Sequence, residues 1–295
     1  RDRTKPFHFK KRTCYEGDTV DKFQFYLQQS GEHQAMIKAV HNLLPQEFQR
    51  IAKEKKNLDI LGVGSGGGEM DAQILSFLQT TFPAMPITVD IVEGSSKLID
   101  SFKGLVAKSP SLQKIPFGWH VMHSEDYAKQ EKLKPDRKKF DFIHMIQMIY
   151  YVDDLDETIK FYHSLLKENG RLMIIIEIAN GGWEILWRTY KKELCVNAIK
   201  DYRSAGDVIA ALERQGLKYE EHLIPNRFDI TGCFDPSNIN GQRMLSFMTE
   251  THNFSQSFTP EIRAGILDLL RNKSSTLEDG KVLFNSNLSC IVVHA

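Results

Sequence analysis

A glycine-rich loop and an acidic residue downstream of it carry the clearest chemical signal in the sequence. Gly62, Gly64 and Gly67 match the pattern G-x-G-x-x-G, directly after a short apolar run and before an amphipathic stretch. Glycines allow a tight turn and let a ligand approach the backbone closely. Glu93 ends the next apolar run, where an acid can accept hydrogen bonds from ribose hydroxyls. Together they predict a nucleotide- or nucleoside-binding loop, with a purely structural turn as the alternative.

Charge beside the loop distinguishes two cofactor classes. NAD carries a pyrophosphate, which favours a helix N-terminus without negative charge, whereas Glu69 and Asp71 lie in the first predicted turn after the loop. S-adenosylmethionine has no phosphate and carries an ammonium and a sulfonium group, so acids are tolerated there. Glu93 also lies farther from Gly64 than the about 20 residues expected in dinucleotide-binding folds. We therefore expect S-adenosylmethionine, with a nicotinamide oxidoreductase as an alternative.

Polar and aromatic residues at two further places are candidates for binding a substrate. Gln147, Tyr150 and Tyr151 follow a buried apolar segment, where open α/β sheets bind their ligands. A loop amide with satisfied hydrogen bonds is the other interpretation of Gln147. Trp183 and Trp187 have the spacing of one helical face. They belong either to the core or to an aromatic surface for a flat or cationic substrate.

Glu32 and His33 begin the second predicted helix. Glu32 either complements the helix dipole or anchors an amine. His33 is either a ligand-binding residue or an ordinary surface residue. The ten histidines are scattered without the spacing of metal ligands, so the sequence predicts no metal site.

The elements that must position these residues alternate between strands and helices. Predicted strands cover 58–63, 87–92, 117–121, 140–148, 171–178, a segment from 216 onward, and 283–294. Predicted helices cover 69–82, 97–108, a segment from 156 to the Asn169-Gly170 pair, and 205–215. Two helices precede them, starting at Asp18 and Ser30, and Pro45 is predicted to stop the second. This alternation predicts an α/β fold with a doubly wound, mostly parallel seven-stranded sheet, like a Rossmann fold.

Two regions lie outside the alternation, and the sequence therefore predicts two functional parts. Residues 225–279 form a long insertion that contains turns and a helix near 242–249, as a lid or substrate wall does. The predicted cofactor-binding core comprises 57–180, 205–224 and 280–295. The predicted substrate-binding cap comprises 1–56, 181–204 and 225–279, and 1–17 are expected to form a basic tail.

Composition narrows the class of protein. The 38 basic and 38 acidic side chains give a formal charge of zero, which argues against a nucleic-acid-binding surface and an acidic disordered chain. Four cysteines without a C-x-x-C pair favour reduced thiols and a cytoplasmic location. No apolar stretch approaches about 20 residues, so no membrane span is predicted.

Three segments together resemble the histamine N-methyltransferases, a family of class I S-adenosylmethionine-dependent methyltransferases. They are Gly31-Glu-His-Gln-Ala-Met36, the loop Leu61–Asp71, and Phe140–Val152 with its Met-Ile-Gln-Met-Ile-Tyr-Tyr sequence. The resemblance continues through 161–166, 182–187 and 280–284, so it covers nearly the whole chain after residue 18.

The resemblance implies a set of site residues. The cofactor, S-adenosylmethionine, leaves as S-adenosylhomocysteine, and Glu93 is expected to bind its ribose. The residues expected around the cofactor are Gly64, Glu93, Ser124, Ile146, Leu98 (a glutamine in the family) and His33. Those expected to hold the substrate are Glu32 and Gln147, with aromatic walls from Phe23, Tyr150, Tyr151, Trp183, Trp187 and Phe247.

Three positions depart from the family. Ser286 stands where the family has a substrate-contacting asparagine, Thr19 replaces a tyrosine and Leu194 replaces a phenylalanine. The resemblance implies methylation of a small amine or imidazole, foremost a ring nitrogen of histamine. Another arylalkylamine or imidazole metabolite, or a cofactor-binding protein without catalysis, remain alternatives. A monomer that binds neither nucleic acid nor a membrane is expected.

Overall fold

The computed structural model describes residues 18–196 and 201–295. The basic tail predicted for 1–17 lies outside the described residues, as does the side chain of Thr19. Contacts divide the chain into two compact units. Unit 1 comprises 1–35, 177–206 and 223–288, and unit 2 comprises 36–176, 207–222 and 289–295. The functional division into core and cap stays a prediction, because a compact unit is not by itself a functional domain.

A seven-stranded sheet forms the larger element of the fold. Its strands are β1 (Leu58–Val63), β2 (Ile87–Val92), β3 (Phe117–His120), β4 (Phe140–Ile146), β5 (Leu166–Glu177), β6 (Tyr219–Ile224) and β10 (Leu288–His294). The order is β3-β2-β1-β4-β5-β10-β6, and β1 pairs in parallel with β2 and β4. Pairs β2–β3 and β4–β5 are parallel too. The predicted fold class is therefore confirmed. Continuous apolar runs form these strands because strands covered on both faces are apolar throughout.

Helices alternate with the strands, as predicted. They are α1 (Asp18–Ser30), α2 (Glu32–Ala52), α3 (Glu69–Thr81), α4 (Ser96–Ala107), α5 (Pro110–Gln113), α6 (Ser124–Lys132), α7 (Leu155–Ser164), α8 (Gly182–Thr189), α9 (Lys191–Leu194), α10 (Ala205–Arg214), α11 (Ile239–Met248), α12 (Phe254–Ser257) and α13 (Pro260–Asn272). Local caps set several starts: the Ser95 hydroxyl accepts from the Leu98 amide at 3.2 Å before α4.

Unit 1 contains a small antiparallel sheet that the sequence did not predict. Strands β7 (Arg227–Asp229), β8 (Ser275–Glu278) and β9 (Lys281–Asn285) pair in the order β7-β9-β8. The single strand predicted for 283–294 is wrong: the chain forms β9, breaks at 286–287, and then forms β10 in the large sheet. Both strands are apolar, so hydrophobic pattern alone does not show that they belong to different sheets.

Helix α2 continues through Pro45, so the prediction that this proline ends the helix is wrong. Proline inside a helix removes one backbone hydrogen bond and costs about 3 kcal/mol. Beyond it, Phe48 and Ile51 are completely buried, as is Leu44 before it. Burial of each such side chain contributes about 1.5–3 kcal/mol. The apolar contacts made by the second half of the helix therefore outweigh the cost of the proline.

Strand β5 begins earlier than predicted, and α7 ends earlier. Leu166, predicted as the last apolar residue of the helix, pairs with Phe140 in the sheet. The register then shifts, because the next pair joins Phe142 to Arg171. Asn169, which lies between Leu166 and Arg171 in β5, has φ +64°. The Asn169-Gly170 pair thus marks an irregularity within a strand rather than a helix end. Strand β4 also ends early, at Ile146, and a 3-10 turn over Ile149–Tyr151 follows.

A buried ion pair within unit 2 ties α2 to β5. Arg171 Nε donates to Glu47 Oε1 at 3.2 Å, and its guanidinium also donates to the carbonyl of Gly170 at 2.9 Å. Both side chains are buried. Removing one partner of such a pair leaves a buried charge uncompensated.

We expect Glu47→Ala to lower the free energy of unfolding by about 3–5 kcal/mol because Arg171 loses its counter-ion. Urea denaturation followed by circular dichroism measures the change. Glu168→Ala, at an exposed position of the same unit, is the control and should change it by no more than about 0.5 kcal/mol. Equal effects of the two variants would contradict a stabilising role of the pair.

Candidate functional site

The glycine loop and Glu93, predicted to bind the cofactor, and Gln147, predicted to bind the substrate, lie at one edge of the large sheet. The glycine loop follows β1, Glu93 follows β2, and Gln147 follows β4. Because these strands are parallel and adjacent, their carboxyl ends share an edge. Ligands of open α/β sheets bind at this edge.

The glycine loop has a backbone that only glycine adopts without strain. Gly64, Gly66 and Gly68 have φ values of +68°, +59° and +81°. A Cβ atom at Gly64 would also lie 2.6 Å from Cβ of Met148, so the loop packs directly against the segment after β4. The amide of Gly64 donates to the carbonyl of Val92 at 2.7 Å. Conformation and packing therefore both require glycine at position 64.

Glu93 holds the loop through its carboxylate. Its Oε1 accepts from the Gly66 amide at 2.8 Å, and its Oε2 accepts from the Ser95 amide at 2.9 Å. Burial raises the pKa of the Glu93 carboxyl above its ordinary value, against the opposing effect of these backbone donors. Each carboxylate oxygen has two acceptor positions, so bonds to backbone and to a ribose are compatible.

A second acid anchors the loop from the other side. Asp71 Oδ2 accepts from the Ser65 hydroxyl at 2.9 Å and lies 3.0 Å from His144 Nε2. Asp71 and His144 are both buried, whereas Glu69 is exposed. Asp71 therefore connects the loop to β4 and is not a surface charge beside the ligand. His144 is not among the predicted site residues, because it lies within a mostly apolar strand and nothing in the local sequence marks it.

The remaining predicted cofactor residues surround the same edge. Leu98 lies in the first turn of α4, and its Cδ1 is 4.0 Å from the place where a Cβ on Gly66 would be. Ser124 begins α6, is buried, and donates from its hydroxyl to Glu125 at 3.2 Å. Ile146 is the half-buried last residue of β4.

These residues of unit 2 fit the nucleoside part of S-adenosylmethionine. The backbone at Gly66 is open to an approaching ligand, and Glu93 supplies the acceptors that ribose hydroxyls need. Leu98 is buried and offers an apolar contact beside the loop.

Gln147 has a backbone conformation that is rare for its residue type. Its φ is +55°, and its amide donates to the carbonyl of Ile175 at 2.9 Å. Its Oε1 accepts from the Tyr150 hydroxyl at 2.7 Å, and the Tyr150 and Tyr151 ring centroids lie 6.1 Å apart. Left-handed backbone outside glycine is typical of functional sites. The structure therefore brings Gln147, Tyr150 and Tyr151 together. The side-chain oxygen of Gln147 accepts from Tyr150, and its side-chain nitrogen is a hydrogen-bond donor.

Glu32 is the central charged residue of the candidate site in unit 1. It is the first residue of α2 and only 1% exposed. Gly31 before it has φ +67°, and the Glu32 amide donates to the Ser30 hydroxyl at 3.2 Å. The Glu32 Oε2 atom accepts from the Tyr26 hydroxyl at 2.5 Å and from the Ser286 hydroxyl at 3.3 Å.

Aromatic rings pack around Tyr26, whose hydroxyl bonds to this carboxylate. The Tyr26 ring stacks on Phe247 with centroids 4.5 Å apart and meets Trp183 edge-on at 5.6 Å. Phe23 lies 6.4 Å from Phe247. Within the described residues, the buried Nε1 of Trp183 has no hydrogen-bond acceptor. The structure thus collects Phe23, Trp183 and Phe247 around Tyr26, which the sequence analysis did not select.

Other predicted residues of unit 1 have mainly internal contacts. Trp187 donates from Nε1 to the carbonyl of Met248 at 2.9 Å and stacks on Tyr202 at 6.2 Å. Ser286 is completely buried, and its amide donates to the carbonyl of Asn226 at 3.1 Å. Leu194 is buried in α9. His33 is half-buried, and burial lowers its pKa. Its predicted cofactor contact stays a prediction.

The described ranges lack both a membrane-spanning helix and a metal-binding cluster. Across 18–196 and 201–295, no helix has the length and apolarity that a bilayer crossing requires. The same ranges contain no group of three or more histidine, cysteine, aspartate or glutamate side chains arranged to hold a metal ion.

Comparison with known proteins identifies relatives along most of the chain. The methyltransferase domain family matches residues 34–222. Histamine N-methyltransferase A of Xenopus laevis is 41% identical over 94% of both chains. Histamine N-methyltransferase of Bos taurus is 40% identical over 94% of this chain and 95% of its own length.

Solved structures share the fold at low sequence identity. The YcgJ protein of Bacillus subtilis superposes with a TM-score of 0.55 at 13% identity, covering 89% of this chain and 98% of its own. Phosphoethanolamine N-methyltransferase 2 of Haemonchus contortus, solved with S-adenosylhomocysteine, gives 0.53 at 15% identity, covering 97% and 59%. The match over residues 34–222 and the identity of about 40% to full-length relatives confirm the resemblance seen in the sequence: the chain belongs to the histamine N-methyltransferase family of methyltransferases.

Proposed function

We propose that the protein transfers a methyl group from S-adenosylmethionine to a ring nitrogen of histamine. The observation that carries this proposal is the buried Glu32 carboxylate, which accepts from Tyr26, a member of an aromatic cluster, in a chain about 40% identical to histamine N-methyltransferases. An anion and aromatic faces both attract a cation, and a flat imidazole suits an aromatic wall. Histamine combines an ammonium group with an imidazole ring.

Unit 2 provides the residues for the cofactor. In this proposal Gly64, Glu93, Leu98, Ser124 and Ile146 hold S-adenosylmethionine, with Glu93 accepting from its ribose, and the resemblance implies a further contact from His33. When bound, the cofactor supplies a methyl group that its sulfonium already activates. The protein therefore needs to align the reacting atoms more than to activate them.

Unit 1 provides the charge that holds the substrate. Glu32 pairs with the ammonium group, and Phe23, Trp183, Trp187 and Phe247 form the aromatic wall that keeps water away. Among the described residues, the buried Nε1 of Trp183 has no acceptor, and an acceptor on a bound ligand would offset the cost of about 1–3 kcal/mol that such a donor carries. Gln147 orients the imidazole ring with its amide, beside Tyr150 and Tyr151. Ser286 belongs to this site through its bond to Glu32.

Other aspects of the function remain proposals from composition and resemblance. We propose a cytoplasmic, monomeric enzyme without a nucleic-acid or membrane partner. A related amine or imidazole metabolite is the second candidate substrate, because Ser286 and Leu194 replace residues that the resembled family has at its substrate site. Initial rates with labelled methyl donor on a panel of arylalkylamines and imidazoles distinguish these acceptors. A protein that binds S-adenosylhomocysteine but methylates none of them would contradict the proposed activity.

Glu32→Gln should raise the KM for histamine by about 30-fold or more, because the ammonium group loses its desolvated counter-ion, worth about 2–5 kcal/mol. Initial rates at saturating S-adenosylmethionine measure it. The matched control is Glu261→Gln, an exposed carboxylate of the same unit, which should leave KM unchanged. An unchanged KM in Glu32→Gln would show that this carboxylate does not bind the amine.

Glu93→Gln should weaken S-adenosylhomocysteine binding by about 10- to 100-fold. The amide NH2 group would face a backbone N–H of Gly66 or Ser95, replacing a charge-assisted bond worth about 1.5–3 kcal/mol. Isothermal titration calorimetry gives the Kd, and exposed Glu168→Gln is the control. A Kd equal to that of the unsubstituted protein would show that Glu93 does not contribute to cofactor binding.

As the pH is lowered, the affinity for S-adenosylhomocysteine should begin to fall at a higher pH than it would for a glutamate of ordinary pKa. Burial raises the pKa of Glu93, so the carboxyl takes up its proton at a higher pH than usual. Ribose hydroxyls need the ionised acceptor, so affinity is complete above this raised pKa and declines as the pH falls through it. Calorimetry from neutral pH downward tests this. Glu93→Gln should remove the decline, and its persistence there would assign it to another group.

A further inference from the structure

We infer that Tyr26 is a positioning residue for Glu32, and that with Ser286 it forms a hydroxyl clamp which sets the specificity of the site for cationic acceptors. This inference rests on the proposed function of Glu32 as the amine-binding carboxylate. The hydroxyl clamp denotes Tyr26 and Ser286 together. Neither the resemblance nor the family comparison assigns Tyr26 a role.

The clamp has three mutual contacts around one oxygen atom. Tyr26 Oη lies 2.5 Å from Glu32 Oε2, Ser286 Oγ lies 3.3 Å from the same oxygen, and the two hydroxyls lie 3.2 Å apart. All three residues are at least 97% buried. A single carboxylate oxygen is thus held by two hydroxyls from distant parts of the chain.

The direction of the short bond follows from the surroundings of the phenol. Burial, and then the charge of Glu32, raise the pKa of Tyr26 well above its ordinary value of 10.0. The phenol therefore keeps its proton at physiological pH and donates it to the carboxylate. A hydrogen bond to an ionised acceptor is about twice as strong as one between neutral groups.

The clamp meets a requirement that the burial of Glu32 creates. A buried ionised carboxylate is costly unless it accepts hydrogen bonds. The ring of Tyr26 is itself part of the aromatic wall, stacked on Phe247 and edge-on to Trp183 and Phe228. Tyr26 therefore supplies an aromatic face and a donor at once, and keeps Glu32 in one place before an amine arrives.

This arrangement predicts an effect on acceptor binding more than on chemistry. A fixed carboxylate binds a cation without first losing rotamer freedom, and such preorganisation improves affinity. The phenol does not act on the methyl group or the ring nitrogen. Loss of the hydroxyl should therefore appear in KM, with kcat nearly unchanged, and only while Glu32 carries its charge.

A double-mutant cycle tests the clamp, using kcat and KM for histamine at saturating S-adenosylmethionine. Tyr26→Phe keeps the stacked ring and removes only the hydroxyl. We expect it to raise KM about 10-fold, as for a hydrogen bond to a charged group, with kcat within about twofold. In a Glu32→Gln background the same change should alter kcat/KM by less than about twofold, because the partner charge is gone. Ser286→Ala should act in the same direction, and less than additively with Tyr26→Phe.

Tyr127→Phe is the matched control. Tyr127 is as buried as Tyr26, its ring stacks on Tyr162, and it belongs to unit 2. It should leave KM unchanged. An equal loss from Tyr26→Phe with and without Glu32 would show a purely structural role, and a fall in KM would show that the hydroxyl competes with the amine. Either result overturns the clamp while leaving the proposed function intact. Absence of histamine turnover by the unsubstituted protein would instead contradict the proposed function.

Discussion

The candidate substrate site depends on one constraint: a buried carboxylate must accept hydrogen bonds from the protein. Glu32 meets this constraint through hydroxyls of Tyr26 and Ser286, whose contacts connect α1, the start of α2 and the break between β9 and β10. Burying a charged carboxylate is costly unless it accepts hydrogen bonds, and these two hydroxyls supply such bonds. They therefore stabilise the carboxylate in the place where the proposed amine would bind.

The same principle operates in unit 2, where two acids shape the glycine loop. Glu93 binds the amides of Gly66 and Ser95, and Asp71 joins Ser65 to His144. Sequence reasoning treated Asp71 as a charge that a cationic cofactor tolerates. The structure gives it an internal role, since it is buried and bonded on both sides. Loop geometry therefore comes from carboxylates as well as from glycine conformations.

The local sequence pattern predicts those elements that are marked by a continuous apolar run or by a regular helical spacing. The predicted bounds of strands β1 and β2 agree with the structure to the residue, because each is a short apolar run with polar residues at both ends. The errors arose where tertiary contacts override a local signal. Pro45 lies inside α2 because buried residues follow it, and Leu166 joins β5 because Phe140 pairs with it. Neither partner can be identified from periodicity alone.

The site shows the same division between local signal and distant contact. Position and spacing make Glu32, Gln147 and the tryptophans candidate site residues, and the resemblance implies the same. Tyr26 is not among these candidates, although it lies three residues after Phe23 on the same helix face. An aromatic residue with that spacing indicates core packing, and only its contact with Glu32 and with a serine 260 positions away shows that its hydroxyl has a separate task. Tyr26 therefore supplies a hydrogen-bond donor to the carboxylate and a ring to the aromatic cluster at once, without an additional buried polar residue.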